Sequence, residues 1–468
     1  MLQNNRGTIF SFSVLTLLFF LWGFITVMND ILIPFLKEAF NLTHTEAMLI
    51  QSFFFGAYAF CSFVYFIIST QSGDPLNKIG YKNGLMIGLF ISAAGLALFY
   101  PAAELRSYPF FLVALFILGF GFTILQITAN PFVSILGDEN SAASRLNLAQ
   151  AFNSLGTFIA PLLGAYMIYT LFGSAEKGSA DGVKIPYLIL SGICVISLII
   201  IYFTKFPDYR NSESVSKGTG ALKYSHLLLG IGAIFCYVGA EVSIGSMMTG
   251  FLGLSESGGY SKEQAAGYVA LYWGGLMIGR FVGAIALSDL TKSKKYICMI
   301  LIPNLVYLFV LGGFHLKAYL DSLSGVVDYG LSNPWIYLVF ISINVLSYFL
   351  SGFRPSLILG LFSVLIILLL SVSIVTTGTI SIWCLVGTGL FNSIMWSNIF
   401  TLSIKGLGKF TGQGSSLLVM AILGGAVIPP IQGLLADSAG IKISFILPAL
   451  CYIYLVYFAL FTNKQRSV

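Results

Sequence analysis

The sequence predicts an all-α membrane protein of about fourteen spanning helices in two bundles, six in the first and eight in the second. Three observations lead there. Apolar residues make up 57% of the 468-residue chain, mean hydropathy is +0.90 and only 9% of residues are charged, where a soluble domain carries about 25%. Apolar runs of about 20 residues, the length that crosses a bilayer, recur along nearly the whole chain. Lipid offers backbone N–H and C=O groups no outside partner, so such runs must be helices unless they close a barrel. The alternating segments of about 10 residues that mark a membrane barrel are absent.

Taken in order, the runs place helices near 8–39, 46–70, 84–101, 108–137, 146–171 and 185–204. The first follows a single basic residue, Arg6, and continues through Asp30 to about Ala39 with no small-residue cleavage site, so it is predicted to be a retained helix rather than a signal peptide. A hydrophilic stretch from Lys205 to about Ser225, with Arg210, Lys217, Lys223 and several serines, reads as a cytoplasmic linker. Eight more helices follow near 226–254, 264–288, 296–315, 334–353, 355–376, 378–405, 412–436 and 443–462. The expected division is therefore a bundle at 1–204, a linker at 205–225 and a second bundle at 226–468. The six cysteines lie singly inside apolar runs and read as small core residues, without disulfide or metal.

Short cytoplasmic loops are enriched in lysine and arginine. With both termini inside, most of the 24 basic residues, among them Lys78, Lys82, Arg145, Lys292, Lys294, Lys295, Lys405 and Lys409, fall on the cytoplasmic side. Lys37, Arg106, Lys177, Lys184, Lys262, Lys317 and Lys442 fall outside, and Arg280 lies within a helix. Fusing two neighbouring helices would put the lysine-rich connections on the wrong side.

The halves also resemble each other. Residues 124–137 align loosely with 394–408, and Leu155-Gly156 with Pro161 recurs at the same spacing as Leu423-Gly424 with Pro429. The fourth and fifth helices thus recur near the end of the chain. The surplus pair at about 296–353 becomes an insertion, and two added spans restore the original side.

Of the 18 Asp and Glu residues, Asp30 and Glu241 lie deep among apolar neighbours, and the others map to loops or helix ends. An acid inside a membrane is costly unless paired, protonated or hydrated, so both are candidate cation-coupling residues. Pro34 cannot donate to the carbonyl of Asp30, which leaves that carbonyl beside the carboxylate as a ligand for water or a cation, with Na⁺ near Asp30 one expectation. Polar residues elsewhere fall at helical spacing, as a cavity lining requires. Thr123, Gln126 and Asn130 share one face, Asn147, Gln150, Asn153 and Thr157 another, and Thr388, Asn392 and Trp396 a third. Tyr237 stands one turn before Glu241, and Tyr272 and Trp273 are further aromatic candidates. Amides serve hydroxyl groups as donors and acceptors, and ring faces pack on C–H surface, a combination that suits a sugar. The same amides also bond helices to one another, which is the alternative reading for each.

Several runs are quite specific. Leu21-Trp22-Gly23-Phe24 with Asn29-Asp30 and Pro34, Gln126 to Pro131, Leu146 to Gly156, Tyr237 to Gly245, Tyr272 to Phe281, Phe391 to Met395 and Gly406 to Gly414 resemble the fucose permease family of the major facilitator superfamily, and more closely its glucose/galactose transporter branch. Asn77-Lys78-Ile79-Gly80-Tyr81-Lys82 is similar to a weakened facilitator loop signature. The resemblance covers nearly the whole chain outside about 290–353. It implies two pseudo-symmetric bundles, a coupling role for Asp30, and sugar contacts for Gln150 and Asn153; Asn29, in the same motif as Asp30, is a further substrate-binding candidate. Gln126 stands where fucose permeases have a protonatable Glu, and Gln126 with Glu241 is the pattern of the glucose/galactose branch. Trp396-Ser397-Asn398 departs from the Phe-Pro-Thr expected there.

The function so implied is uptake of a hexose such as glucose or galactose, coupled to H⁺ or Na⁺, across a bacterial inner membrane by a monomer without cofactors. The expected partners are the sugar and the bilayer, not nucleic acid. Other sugars stay open: N-acetylglucosamine, mannose, fucose or a short oligosaccharide. So do a proton-coupled exporter, suggested by Gly156, Pro161 and Gly164, and a sensor that binds sugar without moving it. An enzyme is disfavoured because His44, His226 and His315 sit at helix ends or loops and no H-E-x-x-H or G-x-S-x-G run occurs. An ATP-driven pump is disfavoured because Gly408-Lys409 is followed by Phe410, with Ser403 where a Walker loop needs its first Gly.

Overall fold

Apolar runs bounded by proline, glycine and polar turns fold as the hydropathy predicts. The computed structural model describes residues 6–42, 44–172, 180–207, 218–323, 331 and 333–465; the side chain of Asp30 and linker residues 208–217 lie outside the described residues. Thirteen helices among the described residues are long and apolar enough to cross a membrane. With one shorter apolar helix they are, in chain order, α1 (Ile9–Ala39), α2 (Leu49–Ser72), α3 (Tyr81–Glu104), α4 (Tyr108–Ile135), α5 (Glu139–Ile168), α6 (Asp181–Phe203), α7 (Ser225–Leu252), α8 (Gln264–Ala286), α9 (Lys292–Leu316), α10 (Pro334–Leu350), α11 (Pro355–Val375), α12 (Gly378–Ile404), α13 (Gly408–Ala439) and α14 (Ile441–Lys464). Starts are written locally. Pro334 and Pro355 occupy the first turns of their helices, where a missing N–H costs nothing, and Ser261 and Gln264 form a reciprocal capping box before α8.

Helix pairing repeats along the chain. In the first half α1 packs on α5, α2 on α4, and α3 on both α4 and α6. In the second, α7 packs on α13, α8 on α12, and α11 on both α12 and α14. Matching the two sets leaves α9 and α10 over. They lie against α8 and α12 and carry the sequence of the surplus pair.

The repeated Leu-Gly runs do the same work in each half. A Cβ on Gly156 would strike the Phe20 carbonyl of α1, and one on Gly424 would strike the Phe235 carbonyl of α7. Both crossings are close backbone approaches, which small residues permit and which dispersion then stabilises in lipid.

Between the halves, α5 packs on α8, and α2 and α4 on α13. Several hydrogen bonds across this divide lie near the start of α7. Ser144 donates to the Ala284 carbonyl at 2.5 Å, Asn77 to the Lys409 carbonyl at 2.7 Å and Ser415 to the Ile127 carbonyl at 2.9 Å. Asp74 accepts the N–H of Gln413 at 3.0 Å, and the Gln413 side chain bonds Ala221 and Gly218 just before α7. On the far half of α5, the Phe158 ring packs against Phe309 and Phe314 of α9, with ring centres 5.5 and 6.3 Å apart.

Candidate substrate and coupling site

Glu241 sits on α7, 9% exposed, and its surroundings are built from the helical period outward. Tyr237, four residues earlier and on the same face, donates its hydroxyl to Glu241 Oε1 at 2.8 Å. Tyr272 of α8 donates to the Glu241 carbonyl at 3.0 Å and receives the Asn392 amide at 3.2 Å. Tyr452 of α14 completes the chain by donating to Asn392 Oδ1. The Asn392 amide therefore spends both ends on tyrosines and orients Tyr272. Trp273 stands edge-on to Tyr272, with ring centres 5.1 Å apart, and remains 43% exposed.

Arg280 joins this cluster to the other half. Its Nη1 donates to the Gln150 carbonyl at 3.3 Å and to the Ser154 hydroxyl of α5, and its Nε donates to the Ser393 carbonyl at 3.2 Å. By taking that carbonyl from outside the helix, Arg280 accompanies a break in α12 between Gly378–Asn392 and Met395–Ile404. The break divides the stripe predicted for Asn392 and Trp396. Trp396 is buried and stacks on Phe400, and its Nε1 has no partner among the described residues.

The second group of amides lies in the first half. Tyr58 of α2 lies near the Trp22 and Gln126 side chains. Asn130 donates to the Gln126 carbonyl at 3.0 Å. Both amide atoms of Asn29, Oε1 of Gln126 and Oδ1 of Asn130 are buried without a partner among the described residues. Unbonded buried amides are uncommon in native proteins and call for a ligand or water. Asn153 instead donates to the Phe19 carbonyl at 3.0 Å and ties α5 to α1.

The structure thus gathers Glu241, Tyr237, Tyr272 and Asn392 in one cluster, joins Asn130 to Gln126 on α4 and buries Asn29 on α1, with Gln150 reaching Arg280 through its backbone. Asp30 lies in α1 next to Asn29, with its side chain outside the described residues. Sequence reasoning passed over Tyr58 and Tyr452 as apolar-run tyrosines, and it placed Arg280 within a helix without a role at the site. A polar hydroxyl or guanidinium amid glycines and apolar residues was the available signal.

Comparison with known proteins agrees with this fold. The sequence model of the Major Facilitator Superfamily matches residues 15–353. A glucose/galactose transporter of Brucella abortus is 41% identical over 99% of this chain and 96% of its own. A putative glucose/galactose transporter of Helicobacter pylori is 36% identical over the full length of both, and the L-fucose-proton symporter of Escherichia coli 31% identical over 99% and 95%. A crystal structure of the major facilitator transporter FucP in the outward conformation superposes with a TM-score of 0.76 at 31% identity, covering 98% of this chain and 99% of that one. Fold, repeated pairing and full-length likeness together place the chain in the major facilitator superfamily, as a multi-pass membrane transporter rather than an enzyme, in the group that holds the glucose/galactose transporters and L-fucose-proton symporters.

Proposed function

We propose that the protein imports a hexose, glucose or galactose, by symport with H⁺ or Na⁺. The observation that carries this reading is the set of buried amide atoms without a partner among the described residues, both of Asn29, Oε1 of Gln126 and Oδ1 of Asn130, in a chain whose full-length relatives are named for hexose transport. Sugar hydroxyls satisfy such amides in both directions. Trp22, Tyr272 and Trp273 supply ring faces for the C–H surface of the sugar. Gln150 and Asn153 complete the amide lining by analogy with the family motif.

Coupling rests on Asp30 and Glu241, one in the first helix of each half. The fucose relative named for proton symport favours H⁺ as the ion. The halves, 1–204 and 226–468, rock about the site so that it opens to one side at a time. One charge moved down 100 mV releases about 2.3 kcal/mol, enough for roughly 40-fold accumulation. The membrane is a bacterial inner membrane, both termini are cytoplasmic, and the working unit is a monomer.

Purified protein in proteoliposomes, loaded without sugar and given an inward pH or Na⁺ gradient, tests the reading. Accumulation of labelled glucose or galactose driven by one gradient supports it and identifies the ion. Asp30→Asn abolishes accumulation while sparing sugar exchange. Accumulation by that variant equal to the parent refutes the coupling role, and absence of hexose binding or flux refutes the substrate.

A further inference from the structure

The inserted helix α10 differs from a lipid-facing span on one face. Tyr337, Ile341, Asn344 and Tyr348 fall at i, i+4, i+7 and i+11, a single stripe of an α-helix. Tyr337, Asn344 and Tyr348 are fully buried. The Tyr337 hydroxyl, Asn344 Oδ1 and the Tyr348 hydroxyl have no hydrogen-bond partner among the described residues, and neither has the hydroxyl of Ser393 at the break in α12. A single buried polar atom left unbonded is costly. Four along one seam point to a ligand that bonds all of them.

The hydroxyls are aimed at the glycine face of α8. A Cβ on Gly275 would strike the Tyr337 hydroxyl, one on Gly279 the Ser393 hydroxyl, and one on Gly283 would meet the Tyr348 hydroxyl at 2.9 Å. Successive glycines are four residues apart, so the hydroxyls follow one another at intervals of about 6 Å along α8. Two O–H···O bonds in series, about 2.8 Å each, cover that interval. One water molecule between each neighbouring pair donates to one hydroxyl and accepts from the next. Asn344, whose Nδ2 is given to the Leu390 carbonyl at 3.4 Å, keeps Oδ1 as the further acceptor such a water requires.

We propose that α8, α10 and α12 enclose a row of ordered water sites bridging Tyr337, Ser393 and Tyr348, built by the inserted helix and separate from the Glu241 cluster. The row meets the transport machinery at Ser393, whose carbonyl holds Arg280.

X-ray hydroxyl-radical footprinting of the purified full chain reads this directly, because radiolysis of a bound water labels the side chain it touches even where bulk solvent cannot reach. Tyr337 and Tyr348 are expected to label several-fold faster than Tyr187, an equally buried tyrosine stacked on Phe99. Tyr337→Phe and Tyr348→Phe each remove one oxygen and little volume. An oxygen bonded to water is a lost bond, so each melting temperature falls by about 1–3 °C; an oxygen in a dry seam is relieved, so it rises. Labelling no faster than Tyr187, or a melting temperature that rises in both variants, overturns the proposal.

Discussion

The backbone N–H of Gln413 donates to the carboxylate of Asp74 at 3.0 Å, joining the loop after α2 to the first turn of the helical segment Thr411–Met420 in α13. The same carboxylate receives the Tyr65 hydroxyl at 2.6 Å and the Leu76 N–H at 3.1 Å. A negative charge at a helix N-terminus is well placed. Gly412 makes the approach possible, since a Cβ there would collide with the carboxylate. The contact closes the linker-side end of the divide between the halves.

This contact is expected to respond to pH. Burial pushes the Asp74 carboxyl above the usual carboxylate range, although the surrounding donors oppose the shift. A released, hydrated Asp74 returns to about 4. The closed end is therefore favoured in acid, and that advantage is lost as pH rises through the raised value. Spin labels at Asn77 and Lys409, whose parent side chain and carbonyl lie 2.7 Å apart, should report a larger closed population in acid, and Asp74→Asn should make it independent of pH. A closed population that grows towards alkaline pH contradicts this.

At the site itself, Tyr237→Phe removes only the hydroxyl that holds Glu241 Oε1. Hydrogen bonds to charged groups contribute about 1.5–3 kcal/mol, so concentrative uptake is expected to slow roughly 10- to 100-fold. Glu241→Gln should lose accumulation and keep exchange. Initial rates in proteoliposomes with and without an imposed gradient check both, and an unchanged rate in Tyr237→Phe shows that the hydroxyl does not position the carboxylate.

Gly156→Val and Gly424→Val should be damaging to a similar degree, because each forces a branched side chain against a backbone carbonyl of the facing helix. A cost of about 2–4 kcal/mol is expected for each. Thermal unfolding in detergent should show matching losses, whereas Gly192→Val on α6, where a Cβ meets nothing within 4 Å, should leave stability nearly unchanged.

Features with a short sequence period were legible before any coordinates. Tyr237 and Glu241 meet because they are one helical turn apart, and Gly156 and Gly424 recur because the helical unit is duplicated. Asp74 was not legible in this sense: its position in a loop marked it as a solvated charge, yet it is 5% exposed because α13 docks on it from 339 residues away. Arg280 with Ser154, and Tyr452 with Asn392, likewise depend on which helices become neighbours, and neither composition nor periodicity encodes that. The surplus helix pair was recognisable as an insertion, but the polar stripe on α10 acquires meaning only against the glycines of α8.

The short tenth helix bears on the bilayer around it. Its first turn and the 14 residues Tyr337–Leu350 rise roughly 25 Å, less than the ~30 Å of a typical hydrocarbon layer. Lipids bordering that flank must thin or splay, while those around the opposite bundle need not. Turnover should therefore be faster in vesicles of shorter acyl chains, with the thickness dependence originating on one side of the molecule alone.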